Sequence, residues 1–207
     1  MKPLMAMALA TGLLAASPAM AENALSKADP AKAQQIVNTV CIACHGADGN
    51  SVSSANPKLA GQHSEYLLKQ LQNFKSGERK NPIMSGMVAT LTPEDMQNLA
   101  AYFNSQKTAP GQAKDPALLA MGEKLYRGGN TNSGVAACAG CHSPNGAGIP
   151  ALFPRLAGQH ADYVVAQLKA FRTSERANDP GKMMQTIAVK MTEKEMTAVA
   201  EYITALH

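Results

Sequence analysis

Apolar positions in this chain recur every three to four residues rather than every second one. Tyr66, Gln70, Leu71 and Phe74 are spaced as residues on one face of a helix are, and the spacing returns at Tyr163, Gln167, Leu168 and Phe171. Asp29-Pro30 and Asp115-Pro116 each read as an N-cap followed by proline at the first helical position, opening a helix that runs toward a cysteine pair. Thr92-Pro93 opens a later helix, and Thr192-Glu193-Lys194-Glu195 spells a capping box before the last one. No stretch alternates as a strand does, so the predicted fold class is all-α.

The extreme N-terminus follows another rule. Behind Lys2, an apolar run from Leu4 to Ala16 ends in Ser17-Pro18-Ala19-Met20-Ala21, the outline of a secretory leader cleaved after Ala21. The run is shorter than the roughly 20 residues that span a bilayer, which argues against an anchor. The expected address of the mature chain is therefore the periplasm.

An internal repeat organises the remainder. Pro57-Lys58-Leu59-Ala60-Gly61-Gln62-His63 returns as Pro154-Arg155-Leu156-Ala157-Gly158-Gln159-His160, and the helical stripe keeps the same 97-residue offset. Leu91-Thr92, Met96 and Tyr102 match Met191-Thr192, Met196 and Tyr202 at an offset of 100, which places a three-residue insertion near Asp179-Pro180-Gly181. The predicted division is a leader over 1–21, a first domain over 22–105, a Pro/Gly-containing linker over 106–114 and a second domain over 115–207. The second domain carries an extra Gly/Asn-rich stretch, Arg127 to Gly134, expected to be a surface insertion rather than packing between domains.

The chemistry lies in the cysteines. All four fall in two copies of Cys-x-x-Cys-His: Cys41 and Cys44 before His45, and Cys138 and Cys141 before His142. This is the c-type haem attachment signature, in which each thiol adds to a haem vinyl group and the adjacent histidine becomes the proximal iron ligand. A zinc site, a redox dithiol or a disulfide can use a lone Cys-x-x-Cys. The duplication at the 97-residue offset, with no other His or Cys cluster beside either copy, favours two covalently bound haem c groups. Pro57 and Pro154 each follow their histidine by 12 residues and offer a carbonyl to its Nδ1 proton, which would leave Nε2 for the iron.

The sixth ligand decides between carrier and catalyst. There are 12 methionines, and the repeat prunes them: Met84 falls on Met184 at the offset of 100, whereas Met87 falls on Ile187 and Met183 on Ile83. Met84 and Met184 are the expected distal ligands, Met87 and Met183 the alternatives. His63 and His160 offer a bis-histidine alternative, but each precedes a predicted helix, which suits a surface or capping role better. Lys58 and Arg155 either neutralise a haem propionate or lie solvated.

Charge adds little. The formal net charge is +4, without basic blocks or interleaved aromatics, so nucleic acid is not an expected partner. Counting the haem propionates leaves the protein nearly neutral.

These motifs together resemble the cytochrome c4 family, whose members are built from two tandem class I cytochrome c domains, each wrapped around a covalently attached haem. The resemblance implies His/Met ligation, an interface near the propionates, and electron transfer from a quinol-oxidising complex toward a terminal oxidase, often of the cbb3 type. It also implies a protein that is soluble or loosely membrane-associated. It further suggests a close crossing of the first and last helices, with Gly122 against Tyr202 in the second domain and Ala33-Gln34 near the equivalent place in the first. The competing reading is a small dihaem enzyme, a peroxidase or sulfur-compound dehydrogenase with one reactive iron; matched methionines in both halves speak against it.

Overall fold

The computed structural model describes residues 25–207; the leader over 1–21 lies outside them. Among the described residues the regular structure is helical, with two isolated β-bridges and no named strand.

In the first half, Asp29 accepts a bond from the Ala31 amide and Pro30 takes the first helical position, starting α1 (Pro30–Ile36). The chain runs on through a π-helical turn (Val37–Cys41) into α2 (Ile42–His45), which stops at Gly46 with φ 75°. Next come α3 (Ser64–Ser76), α4 (Pro82–Val88) and α5 (Pro93–Ser105). Thr92 and Asp95 form a full capping box for α5. Buried Val37, Leu67, Leu68, Phe74, Leu99 and Phe103 join these elements in one core.

The second half repeats the plan with two changes. Asp115 caps a 3-10 turn (Pro116–Leu118) ahead of α6 (Leu119–Gly128), and that helix does not reach the cysteines. It ends at Gly129, and a separate α7 (Ala139–His142) carries the histidine. Then follow α8 (Ala161–Arg172), α9 (Met183–Ala188) and α10 (Glu193–Ala205). The three-residue insertion is a 3-10 turn (Pro180–Lys182) before α9. The Gly/Asn-rich stretch stays within its own half: the Asn130 amide donates to Glu195 at 2.7 Å, and Lys190 donates to the Gly134 carbonyl.

Gly122 lies where α6 crosses α10. A Cβ there would stand 2.1 Å from the Ala198 carbonyl oxygen and 2.7 Å from Tyr202 Cβ, so only glycine fits. In the first half Ala33 is fully buried in the same core as α5, so that crossing takes a methyl group.

The halves meet along a reciprocal seam. Gln62 donates to the Arg155 carbonyl and accepts from the Arg155 amide, both at 2.9 Å; Gln159 does the same with Lys58. Residues 106–114 are strapped onto both sides. Asn50 brackets the Lys107 carbonyl and the Ala109 amide, Thr108 donates to Ala60, and buried Glu201 accepts from the Lys114 amide.

Candidate functional site

In each half a short helical turn lifts the histidine off the cysteine pair and buries it: His45 is 7% exposed and His142 6%. His45 Nδ1 lies 2.9 Å from the Pro57 carbonyl oxygen and His142 Nδ1 2.9 Å from that of Pro154. A carbonyl only accepts, so Nδ1 carries the proton and Nε2 keeps its lone pair for a metal. Burial lowers the pKa of both imidazoles and outweighs the carbonyl bond, which acts the other way. Both rings are therefore neutral near pH 7, the form that ligates iron.

All four cysteines are unpaired. Burial pushes the Cys41 and Cys138 thiols up to about 11, away from the thiolate that zinc prefers. No group of three or more His, Cys, Asp or Glu side chains suited to a metal ion occurs among the described residues. Two free thiols and one neutral, oriented imidazole per half fit a covalently held iron porphyrin, whose apolar body the adjoining core would cover.

Asn81 caps α4 by accepting from the Met84 amide. Met84 is half-buried against the first core and Met184 against the second. Met87 is 45% exposed. Met183 stands at the start of α9, outside the residues packed on the core. His63 and His160 hold neither a surface nor a capping role. They occupy the N-cap positions of α3 and α8 without a side-chain cap. His160 Nε2 instead donates across the seam to the Ser51 carbonyl at 2.7 Å, and His63 Nε2 is buried without a partner. Lys58 is buried rather than solvated and donates to the Ala109 carbonyl, while Arg155 keeps a buried, unpartnered Nε.

Sequence reasoning passed over Arg79 and Arg176, both buried in the seam. The signal was present: they keep the 97-residue offset of the repeat.

Three comparisons bear on this geometry. The cytochrome c family model matches residues 30–107 and 120–207. The chain is similar to cytochrome c4 of Pseudomonas aeruginosa, 50% identical over 182 residues covering 87% of this chain and 90% of the relative. It is also similar to a thiosulfate dehydrogenase electron acceptor of Thiomonas intermedia, 40% identical over 168 residues, 80% of this chain and 77% of the relative. The crystal structure of reduced recombinant cytochrome c4 from Pseudomonas stutzeri superposes with a TM-score of 0.83 at 46% identity, covering 87% of this chain and all of that one.

Proposed function

Given that this chain belongs to the cytochrome c family and, within it, to the dihaem electron-transfer cytochromes c4, we propose that both its irons stay closed to substrate and exchange electrons only with redox partner proteins. The haem supplies one-electron exchange between ferric and ferrous iron. Cys41 and Cys44 hold the first haem and Cys138 and Cys141 the second, as thioethers. His45 with Met84, and His142 with Met184, complete the two coordination spheres. The observation that supports this reading is that each half repeats a buried, proline-oriented imidazole and a methionine half-buried against that half's core.

Each residue has a physical task. Pro57 and Pro154 fix the imidazole tautomer and raise its basicity toward the metal. The methionine thioethers favour ferrous iron and so raise the potential. With six ligands in place no position is left for peroxide or a sulfur compound, which sets this reading apart from a dihaem enzyme. The relative named as an electron acceptor for thiosulfate dehydrogenase is likewise named for receiving electrons.

The leader pattern supports a periplasmic address. No helix among the described residues is long and apolar enough to cross a membrane. In that compartment a quinol-oxidising complex is the donor and a cbb3-type oxidase the acceptor.

Potentiometric titration of the holoprotein tests the ligand set. Met84→His and Met184→His should each lower the potential of one haem by on the order of 0.1 V, within the roughly 0.8 V that axial ligation spans. Met87→His should leave both unchanged; a shift there reassigns the first haem. A high-spin ferric signal from either haem of the unaltered protein would defeat the carrier reading.

A further inference from the structure

The extra stretch of the second half is tied down on two sides. Gly129, with φ 70°, ends α6, and Asn130 then exchanges backbone bonds with Val135 at 2.8 and 3.0 Å, closing a turn over 131–134. Val135 is 3% exposed and belongs to the second core, just ahead of Cys138. The turn is therefore continuous with the backbone that carries the cysteine pair. It also grips the segment of Met184. Asn130 Nδ2 donates to Glu195 Oε1 at 2.7 Å, and Lys190 Nζ donates to the Gly134 carbonyl at 3.1 Å. Glu195 is the capping-box carboxylate of α10, 6% exposed, and its other oxygen accepts from the Thr192 amide and hydroxyl. Both grips fall where the Met184 segment runs into α10. The Asn130 bond is the stronger, because a buried carboxylate left short of a donor is costly, whereas water readily replaces an exposed ammonium–carbonyl contact.

The first half has no counterpart. Thr90 and Asp95 occupy the matching positions at the offset of 100. The Asp95 carboxylate accepts only from Thr92, and neither residue bonds to the 37–44 backbone among the described residues. What the halves share is a tie to the middle helix: Lys75 donates to the Leu91 carbonyl, while Lys169 and Arg172 both pair with Glu193. The link from the methionine segment to the cysteine segment is thus particular to the second half.

A methionine leaves a metal only when its segment opens locally, and the free energy of opening grows with the contacts that must break. In the second half, opening also strips Asn130 from Glu195 or pulls on backbone that two thioethers hold in place. We infer that the 130–134 turn is a strap that keeps the Met184 segment closed, with Asn130 as its positioning residue, so that Met84 is the thioether that yields first to an added nitrogen ligand. This rests on the ligand set proposed above, and both irons stay closed until such a ligand is supplied. The exchange breaks one iron–sulfur bond and forms one iron–nitrogen bond to neutral imidazole; no electron or proton is transferred.

The test follows the sulfur-to-iron charge-transfer band of the ferric holoprotein as imidazole is added, after haem has been counted per chain. Met84→His leaves that band to the second haem and Met184→His leaves it to the first. A full band in either variant would sink the ligand set itself, separately from the strap. With the ligand set standing, the Met184→His protein should lose its band at about ten-fold lower imidazole than the Met84→His protein, the effect of one hydrogen bond to a buried charge. Equal midpoints overturn the strap. Asn130→Ala added to Met84→His should lower the midpoint about ten-fold, and added to Met184→His should leave it in place. Midpoints that move together, or not at all, reduce the turn to general support and overturn its role. Lys190→Met, at an exposed side chain, should shift the second haem alone, in the same direction and by less; it carries the comparison if Asn130→Ala fails to hold two haems.

Discussion

In the first half one helical run passes from Pro30 through both cysteines to His45, whereas in the second the corresponding helix stops at Gly128 and a detached turn delivers His142. The two imidazoles nevertheless finish alike, buried and 2.9 Å from a proline carbonyl. What is held constant between the halves is therefore the cysteine–histidine turn and the bond from its imidazole to a proline carbonyl, while the route of the backbone to that turn is free to vary. The surroundings differ too: Phe153 sets its edge against His142 at 6.1 Å, and Asn56 occupies the matching position in the first half.

Four substitutions sharpen the contrast. The largest effect is expected at the helix crossing. Gly122→Ala places a methyl group 2.1 Å from a backbone oxygen and should destabilise the second half by about 3 kcal/mol. Ala33→Gly in the first half should cost only about 1 kcal/mol, the price of glycine in a helix. Thermal unfolding of the two holoproteins decides; equal melting temperatures would mean that the crossings are equivalent after all.

Next come the capping boxes. Thr92→Ala and Thr192→Ala should each cost about 1 kcal/mol in denaturant unfolding. These boxes also carry a pH signature. The Thr92 hydroxyl holds the Asp95 carboxyl below its ordinary value, and the Thr192 backbone together with Asn130 does the same for Glu195. A carboxylate with a depressed folded pKa stabilises above its unfolded value, near 3.8 for Asp and 4.5 for Glu. That stabilisation is lost as pH falls through the lower folded values. Melting temperatures should therefore drop from pH 5 toward pH 3, and each Thr→Ala change should flatten part of that slope. A slope unaltered in both variants would assign the acid sensitivity elsewhere. The smallest effect is expected at the extra loop of the second half. Replacing exposed Thr131-Asn132-Ser133 with a two-residue turn should change stability by less than about 0.5 kcal/mol and leave both potentials in place.

Much of each half was legible because its determinants are local. Asp29, Thr92 and Thr192 announce helix starts through bonds spanning two or three residues, and the proline carbonyls stand 12 residues from their histidines. Gly122 was expected at the crossing only through the family resemblance; the contact distances to Ala198 and Tyr202 supply its steric reason. The break in the second half's first helix was harder to see. Its sequence begins as a helix should, and Gly129, with φ 70°, ends it before the loop. The stripe of Tyr66, Gln70 and Phe74 has helical period, but period alone does not assign a face. Phe74 enters the core while Tyr66 and Gln70 turn to the other half.

The linear order of residues thus determined two haem-binding units, their helical character and the candidate ligands, since each is written in short-range spacing and then repeated. Only the folded molecule decided how the units meet. Gln62 with Arg155, Gln159 with Lys58, His160 with Ser51 and Arg176 with Tyr66 join residues 93 to 110 positions apart. The physical reason is desolvation: once the two surfaces close, each buried amide and guanidinium must find a partner on the opposite side, and which one it finds depends on the docking angle rather than on its neighbours in the chain.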